Sequence, residues 1–149
     1  MTLKQKIYNH YRQQIQDKID VFKDMIAALT EDSKNDAKGS AGDKHETALS
    51  MMHIEQEKLN RKLAEIFDQK TILDKIDPAH QSSKIALGSL VQANGMLLFI
   101  SSALPKITVD GKTIIAVSSQ SPLGNKLMGN ATGFQFEING THYRIESVD

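Results

Sequence analysis

The chain has 149 residues, with 18 basic and 18 acidic side chains and no cysteine. A net charge of zero gives no global basic signature of a DNA-binding protein, and the lack of cysteine excludes disulfides, thiolate metal sites and thiol nucleophiles. No apolar run approaches the roughly 20 residues of a membrane-spanning helix. The first residues lead into charged sequence rather than an apolar signal core, so we expect a cytoplasmic protein.

Charge divides the chain into two parts. Residues 1–77 carry 13 basic and 14 acidic side chains, whereas residues 78–149 carry 5 and 4. Length alone suggests about one domain, with room for two small ones. We therefore predict a helical region over residues 1–77, a linker over residues 78–84 and a C-terminal domain over residues 85–149.

A long amphipathic helix opens the chain. From Leu3 to about Leu29 the apolar residues recur every three or four positions, which is one face of a helix. A helix of about 30 residues is roughly 45 Å long. Because that is too long for the core of a small globule, we expect it to pair with a partner along its length.

A second helix is predicted to start at Asp43 and to end near Asp77, because Pro78 disfavours helix at the residue before it. Its apolar residues fall seven apart, the spacing of a coiled-coil seam. The seam residues are Met52, Leu59, Ile66 and Leu73. Two antiparallel helices joined by a short turn are the simplest arrangement, and this places residues 39–48 at the tip of a hairpin.

The pattern changes in the C-terminal part. Asn94-Gly95, Asp110-Gly111 and Asn139-Gly140 each separate two apolar runs, which is the strongest short-range signal of a β-hairpin. We therefore predict an antiparallel sheet and an α+β fold. The alternation over residues 134–138 indicates one covered face and one wetter face. Between strands, Ser121 at an N-cap and Pro122 at the first helical position predict one short helix.

Two motifs resemble those of a known family. The tip Gly42-Asp43-Lys44-His45-Glu46 resembles the Gly-Asp-x-x-Glu tip of the bacterial Gre-type transcript cleavage factors. The run Ser121-Pro122-Leu123-Gly124-x-x-Leu127-x-Gly129-x-x-x-Gly133 resembles the signature of their C-terminal domain. Order and spacing also match over nearly the whole chain, so the chain is similar to a divergent member of the GreA/GreB-type elongation factors.

The resemblance implies a concrete function. Gre factors bind bacterial RNA polymerase through an FKBP-like C-terminal domain, and their coiled coil passes down the secondary channel to the polymerase active site. It implies that Asp43 and Glu46 are the catalytic carboxylates, that they hold a Mg²⁺ shared with polymerase, and that the nascent RNA 3′ end lies near the tip. The polymerase then cleaves its own backtracked RNA, so the chain is not an enzyme by itself.

The resemblance also suggests the polymerase-binding residues. We assign partner contact to the start of the short helix, namely Ser121, Pro122, Leu123 and Gly124. An indirect contact with DNA is left open, no membrane partner is expected, and we expect a monomer.

Other interpretations remain open. Asp43 and Glu46 are also spaced as a capping box, in which each stabilises the backbone amide of the other. After Glu46 the chain keeps only Ala48 of the family's Asn-Ala-Glu-Tyr, and Lys44 replaces the usual leucine. One alternative is a regulator that binds the secondary channel without promoting cleavage. A second is a prolyl isomerase or chaperone, which would need an aromatic-lined pocket, and a third is a purely structural coiled coil.

Overall fold

A computed structural model describes residues 1–37 and 43–149, leaving out the side chains of Ser33, residues 35–37 and residues 43–46. The chain forms two compact units. The hairpin unit is Gln13–Lys70, and the sheet unit combines Met1–Arg12 with Thr71–Asp149. The predicted division at residues 77, 78–84 and 85 stays a prediction.

Two long helices supply the hairpin unit. Helix α1 spans Leu3–Ala37 and helix α2 spans Asp43–Asp74. Helix α1 therefore continues eight residues past the predicted Leu29, because no Gly or Pro interrupts the sequence before Gly39. Helix α2 is helical from Asp43, its predicted start and the first residue described after the gap. Helix α2 ends three residues before the predicted Asp77.

The two helices of the hairpin unit run antiparallel, as contacts at two positions along their length show. The Gln56 amide donates to the Thr30 hydroxyl at 3.0 Å, and the Lys23 ammonium lies 5.8 Å from the centroid of the Phe67 ring. Moving forward along α2 from Gln56 to Phe67 moves backward along α1 from Thr30 to Lys23. This confirms the predicted pairing of the two helices within the unit.

Burial of the seam varies along the hairpin unit. Ile15 and Ile19 of α1 are each 2 % exposed, and Leu59 and Ile66 of α2 are also buried. Met52, by contrast, is only half-buried. The seven-residue spacing therefore identified the seam correctly, while packing is loosest at its Met52 end.

Six strands form one mixed sheet in the order β3-β4-β2-β1-β6-β5. The strands are β1 (Leu90–Ala93), β2 (Met96–Ser101), β3 (Ile107–Val109), β4 (Lys112–Ser118), β5 (Gln135–Ile138) and β6 (Thr141–Val148). Helix α3, Pro122–Leu127, lies between β4 and β5 in the chain. The α+β class is confirmed.

The predicted antiparallel sheet has one parallel pair. The three hairpins are antiparallel as predicted, but β2 and β4 pair in parallel, with Leu98 opposite Ile115. The turn dipeptides fix only the two strands that each of them joins. The connection from β2 to β3 crosses over, so that β4 aligns with β2 and β3 becomes the edge strand.

Both faces of the central strands are covered, which differs from the predicted wet face. Successive side chains along a strand point to opposite faces. On one face, Leu98 and Ile100 join a core cluster with Leu127 of α3. On the other, the Phe99 ring stacks on Tyr11 of α1, with ring centroids 6.0 Å apart. The predicted alternation does hold in β5, where every second residue is exposed.

Candidate functional site

The predicted acidic tip lies at the start of α2. Asp43 is the first residue of this helix and Glu46 belongs to its first turn. Their side chains, and residues 38–42 entirely, lie outside the described part of the chain. The position of both residues at a hairpin tip and the geometry of the two carboxylates therefore stay predictions.

The second predicted site is the beginning of α3, where Ser121 is the N-cap. Its hydroxyl accepts from the Gly124 amide at 3.0 Å and donates to the Ser118 carbonyl at 2.7 Å. Pro122 follows at the first helical position, where its missing N–H costs nothing. The predicted cap is therefore confirmed.

The remaining residues of this motif also have structural tasks. A β-carbon on Gly124 would overlap the carbonyl oxygen of Ser118, so the close approach of α3 to the end of β4 requires glycine. Leu123 packs partly against the core cluster, and Pro122 is exposed. Partner binding by Ser121, Pro122, Leu123 and Gly124 stays a prediction, and the structure gives Ser121, Leu123 and Gly124 a role within the fold.

Further along the signature, two glycines follow the end of α3. Leu127 is fully buried, and Gly129 and Gly133 have φ values of +80° and +94°, a backbone region in which other residues are strained. The Gly129 amide donates to the Ile85 carbonyl at 2.7 Å. Residues of this signature therefore hold α3 against the sheet.

A buried cation of the sheet unit was not identified from the sequence. Lys4 is 5 % exposed, and its ammonium donates to the His80 carbonyl at 2.6 Å and to the main-chain oxygen of Asp149 at 3.0 Å. Desolvation lowers the pKa of Lys4, against the opposing charges of Asp149 and Asp77. Lys4 lies three residues before Ile7 and seven before Tyr11, on the apolar face of α1. This spacing is the feature of the sequence that could have indicated its burial.

The prolyl isomerase interpretation requires an aromatic-lined pocket. A cavity of about 390 Å³ opens at one end of the sheet, lined by Gln92, Gly95, Met96, Leu97, Lys112, Thr113 and Ile115. None of these lining residues is aromatic. In the sheet unit Phe134, Phe136 and Tyr143 instead stack on one another, with the ring centroids of Phe136 and Tyr143 5.1 Å apart.

Among the side chains described within residues 1–37 and 43–149, no group of three or more His, Asp or Glu could hold a metal ion. Within the same part of the chain, no helix is long and apolar enough to cross a membrane.

Comparisons with known proteins do not identify a family for this chain. No protein-family model matches the chain, and no curated protein matches it. A solved structure described as "Structure of the transcription factor Gfh1" is similar, with 18 % identity over 95 % of this chain and 92 % of that chain and a TM-score of 0.34. A similarity with so low a TM-score carries no weight in assigning a function to this chain.

Proposed function

We propose that this protein is a Gre-type elongation factor that binds RNA polymerase. In this proposal its helical hairpin enters the secondary channel and stimulates cleavage of backtracked RNA through Asp43 and Glu46. The proposal rests on the two sequence motifs. One structural observation supports it most directly: Asp43 and Glu46 both lie in the first described turn of α2.

The lengths of the helices also support the proposal. Helix α1 has 35 residues and helix α2 has 32, which corresponds to about 50 Å each at 1.5 Å per residue. Asp43, at one end of α2, is therefore remote from Asp74 at the other end. A factor that delivers two carboxylates to a buried catalytic centre of another protein needs such a reach.

Asp43 and Glu46 suit Mg²⁺ by their chemistry. Mg²⁺ prefers oxygen ligands and is often bound by only one or two carboxylates, with water and phosphate completing the octahedron. When bound, the ion would stabilise charge on the oxygens of the phosphodiester being cleaved. Two carboxylates cannot complete its coordination, so in this proposal the polymerase supplies the remaining ligands and performs the reaction.

The test is transcript cleavage in a stalled, backtracked elongation complex with Mg²⁺. We expect the protein to accelerate release of short 3′ fragments, and we expect Asp43→Asn and Glu46→Gln each to reduce this acceleration at least tenfold. Glu57→Gln is the matched control, because Glu57 is an exposed carboxylate of the same helix. Equal loss in the control would contradict a specific role of the two tip residues.

The same assay distinguishes a cleavage factor from a regulator that binds the channel without promoting cleavage. This alternative is favoured by the residues after Glu46, which differ from the family's Asn-Ala-Glu-Tyr. A protein that competes with a Gre factor for the complex, but leaves cleavage unchanged, would be a channel-binding regulator. A protein that neither accelerates cleavage nor competes would have the fold without this function. Turnover of a proline peptide would instead support the isomerase interpretation.

A further inference from the structure

Two of the three hairpin turns contain the same dipeptide, Asn-Gly. Asn94-Gly95 joins β1 to β2, and Asn139-Gly140 joins β5 to β6. The two turns have nearly the same backbone, since both asparagines have φ of +52° and the glycines have φ of +72° and +81°. All four residues are exposed. A difference in reactivity between the two turns must therefore come from the residues around them.

An asparagine followed by glycine can lose its side-chain amide without an enzyme. The main-chain nitrogen of the glycine attacks the asparagine Cγ, the Cγ–Nδ2 bond breaks, and ammonia leaves with the proton of the attacking nitrogen. Water then opens the resulting succinimide at one of its two carbonyl carbons, which gives aspartate or isoaspartate with no oxidation or reduction. Glycine favours the ring closure because no β-carbon restricts its backbone.

In the turn between β1 and β2, both reacting groups are hydrogen-bonded. The Asn94 side chain donates through Nδ2 to the His142 carbonyl at 2.8 Å and accepts through Oδ1 from the Arg144 amide at 3.2 Å. The attacking group, the Gly95 amide, donates to the Glu146 carboxylate at 3.3 Å. These bonds hold the Asn94 side chain against β6, so ring closure first has to break them.

In the turn between β5 and β6, the same groups lack such bonds. Among the residues that the structure describes, none forms a hydrogen bond with the Asn139 side chain or with the Gly140 amide. The Asn139 side chain can therefore rotate towards the main chain, and no hydrogen bond opposes attack by the Gly140 nitrogen.

The two turns also differ in how firmly their strands are held. Strand β1 lies between β2 and β6, whereas β5 is an edge strand that pairs only with β6. Three of the four residues of β1 are buried, but every second residue of β5 is exposed. Segments with few buried contacts open locally at a lower free energy. The turn after β5 therefore leaves its folded backbone conformation more often, and ring closure requires this change.

From these differences we infer that Asn139 is a site of spontaneous deamidation and that the fold protects Asn94. The reaction adds a negative charge to the turn. Isoaspartate also lengthens the main chain by one carbon, so the turn no longer fits the pairing of Ile138 with Thr141. We expect the isoaspartate form to have a loosened β5 and an otherwise unchanged sheet.

The inference is tested with the full chain and does not depend on polymerase binding. The protein is incubated in mildly alkaline buffer, and tryptic digests taken at intervals are analysed by mass spectrometry. Trypsin leaves the two asparagines in different peptides, residues 85–106 and 127–144, and fragmentation locates the converted residue. We expect deamidation at Asn139 to be at least tenfold faster than at Asn94.

Unfolding supplies one control, and a substitution supplies another. In concentrated urea the two sites should react at similar rates, because the contacts that distinguish them are lost. Glu146→Ala removes the acceptor of the Gly95 amide, so deamidation at Asn94 should be severalfold faster and that at Asn139 unchanged. Glu137→Ala, which removes an exposed carboxylate of β5, should leave the rate at Asn94 as it is.

The structural consequence is measured by amide hydrogen exchange after long incubation. Amides of β5 should exchange faster in the isoaspartate form, whereas Asn139→Asp, which adds the charge without the extra carbon, should keep the wild-type exchange. Equal rates at the two asparagines in the folded protein would overturn the inference, as would a faster reaction at Asn94. So would a folded protein in which Asn139 stays intact while the chain in urea reacts.

Discussion

At the scale of single residues, Gly124 shows how one missing side chain sets the position of a helix. Its amide donates to the Ser121 hydroxyl, and its α-carbon lies so close to the end of β4 that a methyl group would meet the Ser118 backbone. Backbone atoms in a sheet cannot shift as a flexible side chain can. The glycine is therefore required by close packing rather than by an unusual φ.

We predict that Gly124→Ala lowers the free energy of unfolding by about 3 kcal/mol, at the upper end of the usual cost of overpacking. Urea denaturation followed by circular dichroism measures this. Gly129→Ala is the control, because Gly129 has φ of +80° but open space around it. Its cost should be about 1–2 kcal/mol, from the left-handed backbone alone. A larger effect at Gly129 than at Gly124 would contradict the packing argument.

Tyr11 is a second residue whose burial has a measurable consequence. Its ring is fully buried, its hydroxyl donates to the Pro105 carbonyl at 2.8 Å, and burial raises the pKa of Tyr11 to about 12 from its ordinary 10. Between these two values the unfolded chain has released the phenolic proton while the folded chain retains it. Stability from this group is thus complete below pH 10 and is lost as the pH rises towards 12.

We therefore predict that the difference in unfolding free energy between wild type and Tyr11→Phe changes with pH. Near pH 8, Tyr11→Phe should cost about 1–2 kcal/mol, because it leaves the Pro105 carbonyl without its donor. Between pH 10 and 12 the wild type should lose stability relative to the variant by up to about 1.4 kcal/mol per pH unit. Parallel pH profiles of the two proteins, measured by urea denaturation, would show that Tyr11 does not titrate as the structure implies.

At the scale of elements, local chemistry predicted most of the structure. Asn94, Asp110 and Asn139 all have φ of +52°, as their turns with glycine require, and each joins an antiparallel pair. Helix α3 begins with the expected cap. These features depend on residues adjacent in the chain, and such patterns are readable from one sequence.

The helical hairpin provides a matched test of the seam. Ile66 and Ile54 are both in α2, and they are 4 % and 54 % exposed. We predict that Ile66→Ala lowers the free energy of unfolding by about 2–5 kcal/mol, whereas Ile54→Ala changes it by less than about 0.5 kcal/mol. Thermal and urea denaturation of the two variants measure this. Equal destabilisation by the two changes would show that the seven-residue pattern does not mark the buried face.

At the scale of the whole molecule, the sequence was less informative. The parallel pairing of β2 with β4 and the stacking of Tyr11 on Phe99 join residues far apart in the chain, and no local pattern encodes them. The buried Lys4 is similar, since its partners are His80 and Asp149. The candidate tip could be proposed because Asp43 and Glu46 are close in sequence, and both its position and the arrangement of its carboxylates stay predictions.

The composition of the sheet unit leads to a last prediction about which parts of the chain fold together. Residues 1–12 and 71–84 belong to this unit with the sheet, and they supply the Tyr11 ring over Phe99 and the Ile76 side chain against Gly88. A chain of residues 85–149 alone would expose these surfaces to water. A shortened chain in which a glycine-serine loop joins residue 16 to residue 67 would keep them covered.

We expect the shortened chain to unfold cooperatively in urea and to keep the dispersed amide spectrum of the sheet. Residues 85–149 alone should show a lower unfolding midpoint or no cooperative transition, because they lose the apolar cover of one face and the bonds from Lys4. The two chains share every strand and all of α3, so a difference between them isolates the contribution of residues 1–16 and 67–84. An isolated 85–149 chain as stable as the shortened one would show instead that the sheet folds without them, as the predicted boundary at residue 85 implies.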